Sequence, residues 1–342
     1  MPRKIRIQFQ DASYHIMSRG DQYGAIFLSD KDRHSFLKTL GETCQRTGWV
    51  IHAYVLMDNH YHMLVETPDA NLVEGMRWFQ STYTRRFNGR NKLVGHVFQG
   101  RYRALIIDPK EREYFLTVSE YIHLNAARAG LLDKQNPRLS KYRWSSYPYY
   151  LKPPGKRPSW FCVEKVFHEL KIYDDKAAGR KKYAQYMDLR MKEVLIPKNK
   201  QKFEKEWMDI RRGWFLGNDS FKEKLLKLAD QVLKGRNRSS FSGEFKRKHE
   251  EHCAEEWVQK ALRILDISDP ELSGMRKSDP RKQLIAWLLK QKTSARNGWI
   301  ADRLWMGHYT AVNNAVYAVR QGKQQKINSL KRQIEIILKM ED

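Results

Sequence analysis

The sequence predicts an α+β fold, an antiparallel sheet with helices followed by an all-α region. Three observations predict it. β-Rich runs alternate with amphipathic stretches through the first 130 residues. Helical spacing takes over from about residue 161. The chain has 342 residues, 41% of them hydrophobic, which is a globular composition with length for two or more domains.

Residues 13–20 (Ser-Tyr-His-Ile-Met-Ser-Arg-Gly) alternate and end in Gly, so they read as a strand. Ser29 is an N-cap candidate followed by Asp30 and Asp32, and Phe36, Leu37, Leu40 and Cys44 continue at helical spacing. Residues 49–57 are β-rich, Asp58-Asn59 is turn chemistry, and residues 60–67 complete a hairpin. Asn71 with Glu74 suggests a capping-box variant, and Leu72, Met76, Phe79 and Tyr83 follow on one helical face. Residues 96–108 read as a strand with Arg101 and Arg103 in alternation; Pro109 starts a helix that Gly130 ends. This order, strand-helix-strand-strand-helix-strand-helix, is the split βαβ arrangement of a ferredoxin-like sheet with one extra helix.

Residues 141–160 are rich in Pro and aromatics and read as an ordered connector wrapped on the first domain. Residues 161–192 look helical, 196–200 break the pattern, and from about 219 the chain is mostly helical with a polar break at 235–243. The domains expected are 1–150, a connector with helices at 151–206, and a helical region at 207–342.

Lys and Arg number 64 against 39 Asp and Glu, a formal net charge of +25. Such an excess suits nucleic acid or an anionic membrane surface. No isolated basic helix carries a Trp/Leu face, and no apolar run nears the roughly 18–20 residues that span a bilayer. Nucleic acid is therefore the expected partner, with a merely basic soluble surface as the alternative. The basic N-terminus lacks a following apolar segment, so a cytoplasmic, nucleoid-associated protein is expected. Cys44, Cys162 and Cys253 are widely separated, which argues against a disulfide framework or structural zinc site.

Two segments carry chemistry. In His60-Tyr61-His62 the histidines share one strand face, with Cα atoms about 6.8 Å apart, while Tyr61, Met63 and Val65 point to a core. Paired imidazoles make half of a metal site, or simply a solvated or partly buried sheet face. In the helix 111–129, Tyr121 and Asn125 are four residues apart and share a face. They could offer a phenolic nucleophile and a carbonyl ligand, or serve packing.

Together these segments resemble the HUH single-tyrosine transposases, and among them the REP-associated tyrosine transposases. The residues that carry the resemblance are Tyr14-His15-Ile16-Met17-Ser18-Arg19-Gly20, Leu56 to His62, Gly95 to Tyr102, Tyr121 to Leu131 and Tyr142 to Tyr147. They occur in strict order over about residues 10–150. Ala126 departs from the pattern, since many relatives have Pro there.

The resemblance implies an HUH nuclease domain in which His60 and His62 bind a divalent ion, Mg²⁺ or Mn²⁺, with Asn125 as third ligand and Tyr121 as nucleophile. The implied substrate is single-stranded DNA, often beside a hairpin. The implied chemistry is strand cleavage and transfer through a 5′-phosphotyrosine. Arg19, Arg85, Arg86, Arg101 and Arg103 are candidate phosphate contacts.

Residues 280–321 read as helix, helix, turn, helix. The segment Ile300 to Val312 is similar in spacing to the helix-turn-helix of bacterial replication initiators, although Tyr309 and Ala311 depart from that signature. Ile300, Leu304, Val312 and Val316 would pack, while Tyr309, Thr310, Asn313, Asn314 and Arg320 would face DNA, as suits a double-stranded hairpin stem or flanking duplex. An ordinary three-helix bundle is the alternative. Two other functions stay open: a non-catalytic DNA-binding regulator on the same fold, and a zinc hydrolase built on His60, His62 and Glu66. Oligomerisation is compatible with the sequence.

Overall fold

The computed structural model describes residues 3–4, 6–111, 113–233, 241–242, 244–293, 295–322, 325 and 327–332. Arg6–Leu225 forms one compact unit; Leu226–Asp342 with Met1–Ile5 forms a second. The first unit thus takes in the expected connector as well as the predicted sheet.

In the first unit the strands are β1 (Ala12–Arg19), β2 (Val50–Leu56), β3 (His60–Thr67) and β4 (Arg103–Ile107). The helices between and after them are α1 (Asp30–Thr47), α2 (Leu72–Asn91) and α3 (Glu113–Arg128). The order matches the predicted alternation. The sheet runs β2-β3-β1-β4 with antiparallel neighbours, the ferredoxin-like arrangement. A two-residue strand, β5 (Phe215–Leu216), adds in parallel to β4; sequence reading missed it.

One sheet face is covered by α1 and α2. Tyr61, Met63 and Val65 are buried there as expected, with the Tyr61 ring 4.9 Å from Phe36. Helix α1 starts at the expected Ser29, in a reciprocal capping box with Asp32. The expected box at Asn71 is absent: Asn71 Oδ1 instead accepts from Trp49 Nε1 at 2.7 Å, and its Nδ2 donates to the Thr47 carbonyl. Helix α3 covers the opposite face, and Gly130 ends it in the left-handed region (φ +67°).

The predicted strand 96–108 is shorter than expected. Gly95 (φ +96°) and Gly100 (φ +61°) bend the chain, so pairing along a regular strand begins at Arg103 and Arg101 precedes it. Nor does Pro109 open α3. The Asp108 carboxylate accepts from the Lys110 amide in a turn, and the helix begins at Glu113.

The connector is ordered, as expected. Leu56 N donates to Trp144 O, Ser146 N to Tyr54 O and Cys162 N to Ile51 O, so residues 144–162 run along the outer edge of β2. Tyr142 and Tyr150 donate through their hydroxyls to the carbonyls of Leu56 and His52. Helices α4 (Glu164–Glu169), α5 (Ala177–Leu195), α6 (Lys200–Glu206) and α7 (Met208–Arg212) follow. The predicted helical stretch 161–192 is broken near Lys171, whose φ is +55°. Helix α8 (Asp219–Leu233) comes next.

The second unit contains α9 (Glu244–Ile264), α10 (Asp269–Gly274), α11 (Pro280–Lys292), α12 (Asn297–Arg303) and α13 (Thr310–Gln321). Its core includes Val258, Leu284, Leu288, Ile300, Leu304 and Val312. Lys282 is fully buried there; its ammonium donates to the carbonyls of Met275 and Trp305. Of the predicted polar break at 235–243, residues 235–240 and 243 lie outside the described residues; Phe241–Ser242 pair in parallel with Arg3–Lys4. Among the described residues, no helix is long and apolar enough to cross a membrane.

Candidate active site

Strand register assembles the site. Met17 pairs with His62 and Arg19 with His60, while Met17 pairs on its other side with Arg103. Directly paired residues share a sheet face. His15, Met17, Arg19, His60, His62 and Arg103 therefore all point towards α3, and α3 brings Tyr121, Asn125 and Arg128. With Met57, Ala129, Ile210 and Arg211 they line a cleft of about 400 Å³.

The rings are close. Those of His60 and His62 are 5.2 Å apart and nearly perpendicular. The ring of Tyr121 stands edge-on to both His15 and His62, 5.5 Å from each. Trp207 packs edge-on against Tyr121 at 5.5 Å, and the Arg128 guanidinium lies 5.5 Å from the Tyr121 ring.

Each histidine of the pair is held through Nδ1. Asn59 Nδ2 donates to the Tyr23 carbonyl, which fixes the amide, so its Oδ1 accepts from His60 Nδ1 at 2.8 Å. His62 Nδ1 shares a hydrogen bond with His15 Nε2 at 2.9 Å. Nε2 of both rings is left without a hydrogen-bond partner among the described residues. Burial, followed by the charge of Arg19, lowers the His60 pKa to about 4. Burial, followed by neighbouring His15 and His60, holds His62 well below its usual value. Both rings are neutral at pH 7, the state that ligates a metal. An Nδ1 hydrogen bond that orients a neutral imidazole is also the usual outer support of a metal-binding histidine. This donor set fits a divalent ion.

Asn125 borders the same cleft. Its Nδ2 donates to the Tyr121 carbonyl at 2.6 Å, and its Oδ1 lies 3.5 Å from Arg128. Among the described residues no three His, Cys, Asp or Glu side chains form a metal cluster. A shell built on His60 and His62 would thus draw on the Asn125 carbonyl, phosphate oxygens and water.

The remaining predicted residues divide. Arg19 and Arg103 border the cleft; Arg103 also donates to the carbonyls of Arg211 and Gly213. Arg86 pairs with Glu42 at 2.8 Å between α2 and α1. Arg85 lies beside Thr82 on α2, and Arg101 is exposed in the loop before β4. None of these three lines the cleft. Glu66 is held by His52 at 2.9 Å and by Lys165 at 2.8 Å. It lies four residues along β3 from His62, about 13 Å away, so the hydrolase reading loses its carboxylate.

In the second unit Tyr309, Thr310, Asn313, Asn314 and Arg320 are all exposed on or beside α13. Asn313 accepts from Asn297, and Thr310 is hydrogen-bonded to His308. Ile300, Leu304 and Val312 are buried as expected, whereas Val316 is half-buried and Ala315 and Val319 fill the core beside it.

Residues 8–125 match a family model described as transposase IS200-like. The match includes His60, His62, Tyr121 and Asn125. No curated protein matches the chain. Among solved structures, the chain is similar to one titled "Structure of the REP associates tyrosine transposase bound to a REP hairpin", with 15% identity and a TM-score of 0.36. The match covers 47% of this chain and 92% of that one.

Sequence reading missed His15 and Arg128, which line the cleft, and Trp207, which packs on Tyr121. His15 had a usable signal, because it has the same strand parity as Arg19. Trp207 had none, because it lies between α6 and α7, far downstream of Tyr121 in the chain.

Proposed function

We propose that the chain is a metal-dependent DNA strand transferase in which Tyr121 is the nucleophile. The observation that carries this reading is the Tyr121 ring set edge-on to His62 in a cleft that also holds His60, Asn125 and Arg19. His60, His62 and Asn125 would hold Mg²⁺ or Mn²⁺. A bound divalent ion supplies Lewis-acid polarisation of a phosphate oxygen. Arg19 and Arg128 would balance the charge of the incoming strand.

Tyr121 loses its phenolic proton as its oxygen bonds to phosphorus. The bond from phosphorus to the 3′-oxygen breaks, and that oxygen leaves as a 3′-hydroxyl after taking up a proton. The 5′-phosphotyrosine left behind keeps the phosphoester, so a second 3′-hydroxyl can reverse the step and join strands. A basic chain of +25 favours such a substrate. The exposed polar set on α13 supports a second contact, with duplex flanking the cut.

The test is incubation with single-stranded hairpin DNA and Mn²⁺, followed by denaturing electrophoresis. A protein–DNA adduct is expected from the wild type and none from Tyr121→Phe. Equal adduct from both would overturn the assignment. Metal-independent binding without an adduct would favour the non-catalytic regulator.

A further inference from the structure

The loop joining β1 to α1 is strained and tightly pinned beside the cleft, and the cutting chemistry makes no use of it. Gln22 and Tyr23 are consecutive non-glycine residues at φ +48° and +63°, a conformation that L residues rarely adopt. The loop cannot easily relax. Gly20 N donates to Asn59 O at 2.8 Å, Asp21 N to Val97 O at 3.0 Å and Gly24 N to Asp21 O at 2.7 Å. A Cβ on Gly20 would lie 1.9 Å from the Gly24 carbonyl oxygen.

This pinned backbone holds out an aromatic ring. Tyr23 is 64% exposed, so packing does not explain it. The Arg19 guanidinium lies 4.9 Å from the centre of its ring. Arg19 pairs with His60 across the strands and borders the cleft, and its buried Nε has no hydrogen-bond partner among the described residues. Asn59 joins the two features: one amide atom holds His60 and the other holds the Tyr23 carbonyl. Strain maintained by several hydrogen bonds is typical of sites that position a ligand.

We propose that Tyr23, with Arg19 behind it, is a stacking platform for an unpaired nucleobase of the strand whose phosphate enters the cleft. This rests on the reading of the cleft as a single-strand site. Every base has a π face, so stacking on Tyr23 grips a strand whatever its sequence. Arg19 adds cation–π attraction and leaves N–H groups for phosphate.

The experiment uses the full chain in EDTA, so that no cutting occurs. The probe is a DNA hairpin with an unpaired tail carrying 2-aminopurine, whose fluorescence is quenched by stacking. Wild type is expected to quench it. Tyr23→Ala should bind the tail roughly tenfold more weakly and lose the quenching, while Tyr23→Phe should retain both. Tyr23→Gly relieves the positive φ, so it should melt no lower than wild type yet bind as weakly as Tyr23→Ala. Unchanged binding and quenching in Tyr23→Ala would overturn the platform. So would a Phe variant as weak as the Ala one, or an equal loss on blunt duplex. The two readings fail separately. No Tyr121 adduct with Mn²⁺, but quenching lost in Tyr23→Ala, removes the cutting and keeps the platform. An adduct with unchanged Tyr23→Ala binding removes only the platform.

Discussion

His62 is oriented by a residue that is not its sequence neighbour. His15 occupies its Nδ1 from β1, so His15→Ala should leave the His62 ring free to turn and lower Mn²⁺ affinity roughly 10–100-fold. Titration calorimetry measures this, and unchanged affinity would show that the contact does not orient the ring. The pairing of His60 with His62 was legible because a strand has a period of two. The contribution of His15 was not, because it depends on register between strands far apart in the chain.

Glu66 gives a pH prediction at the same scale. Burial alone would raise its pKa, but hydrogen bonds from His52 and Lys165 outweigh it and hold the carboxyl down at about 2. Its folded pKa is below its usual 4.5. The stabilisation is therefore complete above that usual value and is lost as pH falls towards 2. His52 is shifted the other way: burial opposes, but Cys162 and Glu66 raise its pKa. Its share is present below its usual 6.5 and fades as pH rises through the raised value. Glu66→Gln should cost about 1.5–3 kcal/mol at neutral pH, a difference that closes near pH 2. Urea unfolding across that range checks it; a gap independent of pH would mean that charge is not the cause.

At the scale of elements, close approach decides what a helix tolerates. Helix α2 lies on Trp49 at Gly75, where an added Cβ would sit 2.2 Å from the indole ring. Alanine gains about 1 kcal/mol in helix propensity, but overpacking costs about 1–3 kcal/mol. Trp49 is also tied to Asn71 through its N–H, which limits its escape. Gly75→Ala should therefore lower the melting temperature; a rise would mean that the ring can swing aside.

Element order was legible because amphipathic periods and turn residues are local. The ends of elements were less so. Asn71 reads as a cap by type, yet its amide is engaged by Trp49 and Thr47. A two-residue strand such as β5 carries no period to detect; it exists because Trp214 O and Leu216 O accept from the amides of Ile106 and Asp108.

For the whole molecule, charge and division into two units make a separable prediction. Replacing Asn313, Asn314 and Arg320 together by Ala should weaken duplex binding while sparing the Tyr121 adduct on single strands, since none of these residues lines the cleft. Fluorescence anisotropy at several salt concentrations measures it, and removing Arg320 should flatten the salt slope by about 0.9 if that side chain contacts one phosphate. Loss of the adduct with duplex binding intact would reverse the assignment of roles. Net charge pointed to nucleic acid, but it could not say which surface meets which form of DNA, because a sum carries no direction.

The residues 144–162 that run along β2 also decide how copies of the chain can meet. A bare outer strand would offer its peptide groups to another molecule and seed aggregation. Here the carbonyls of Ile51, Tyr54 and Leu56 are already taken on that side. Self-association at this edge would have to proceed through side-chain surfaces, and proteolytic nicking of this strap should expose the strand and promote aggregation.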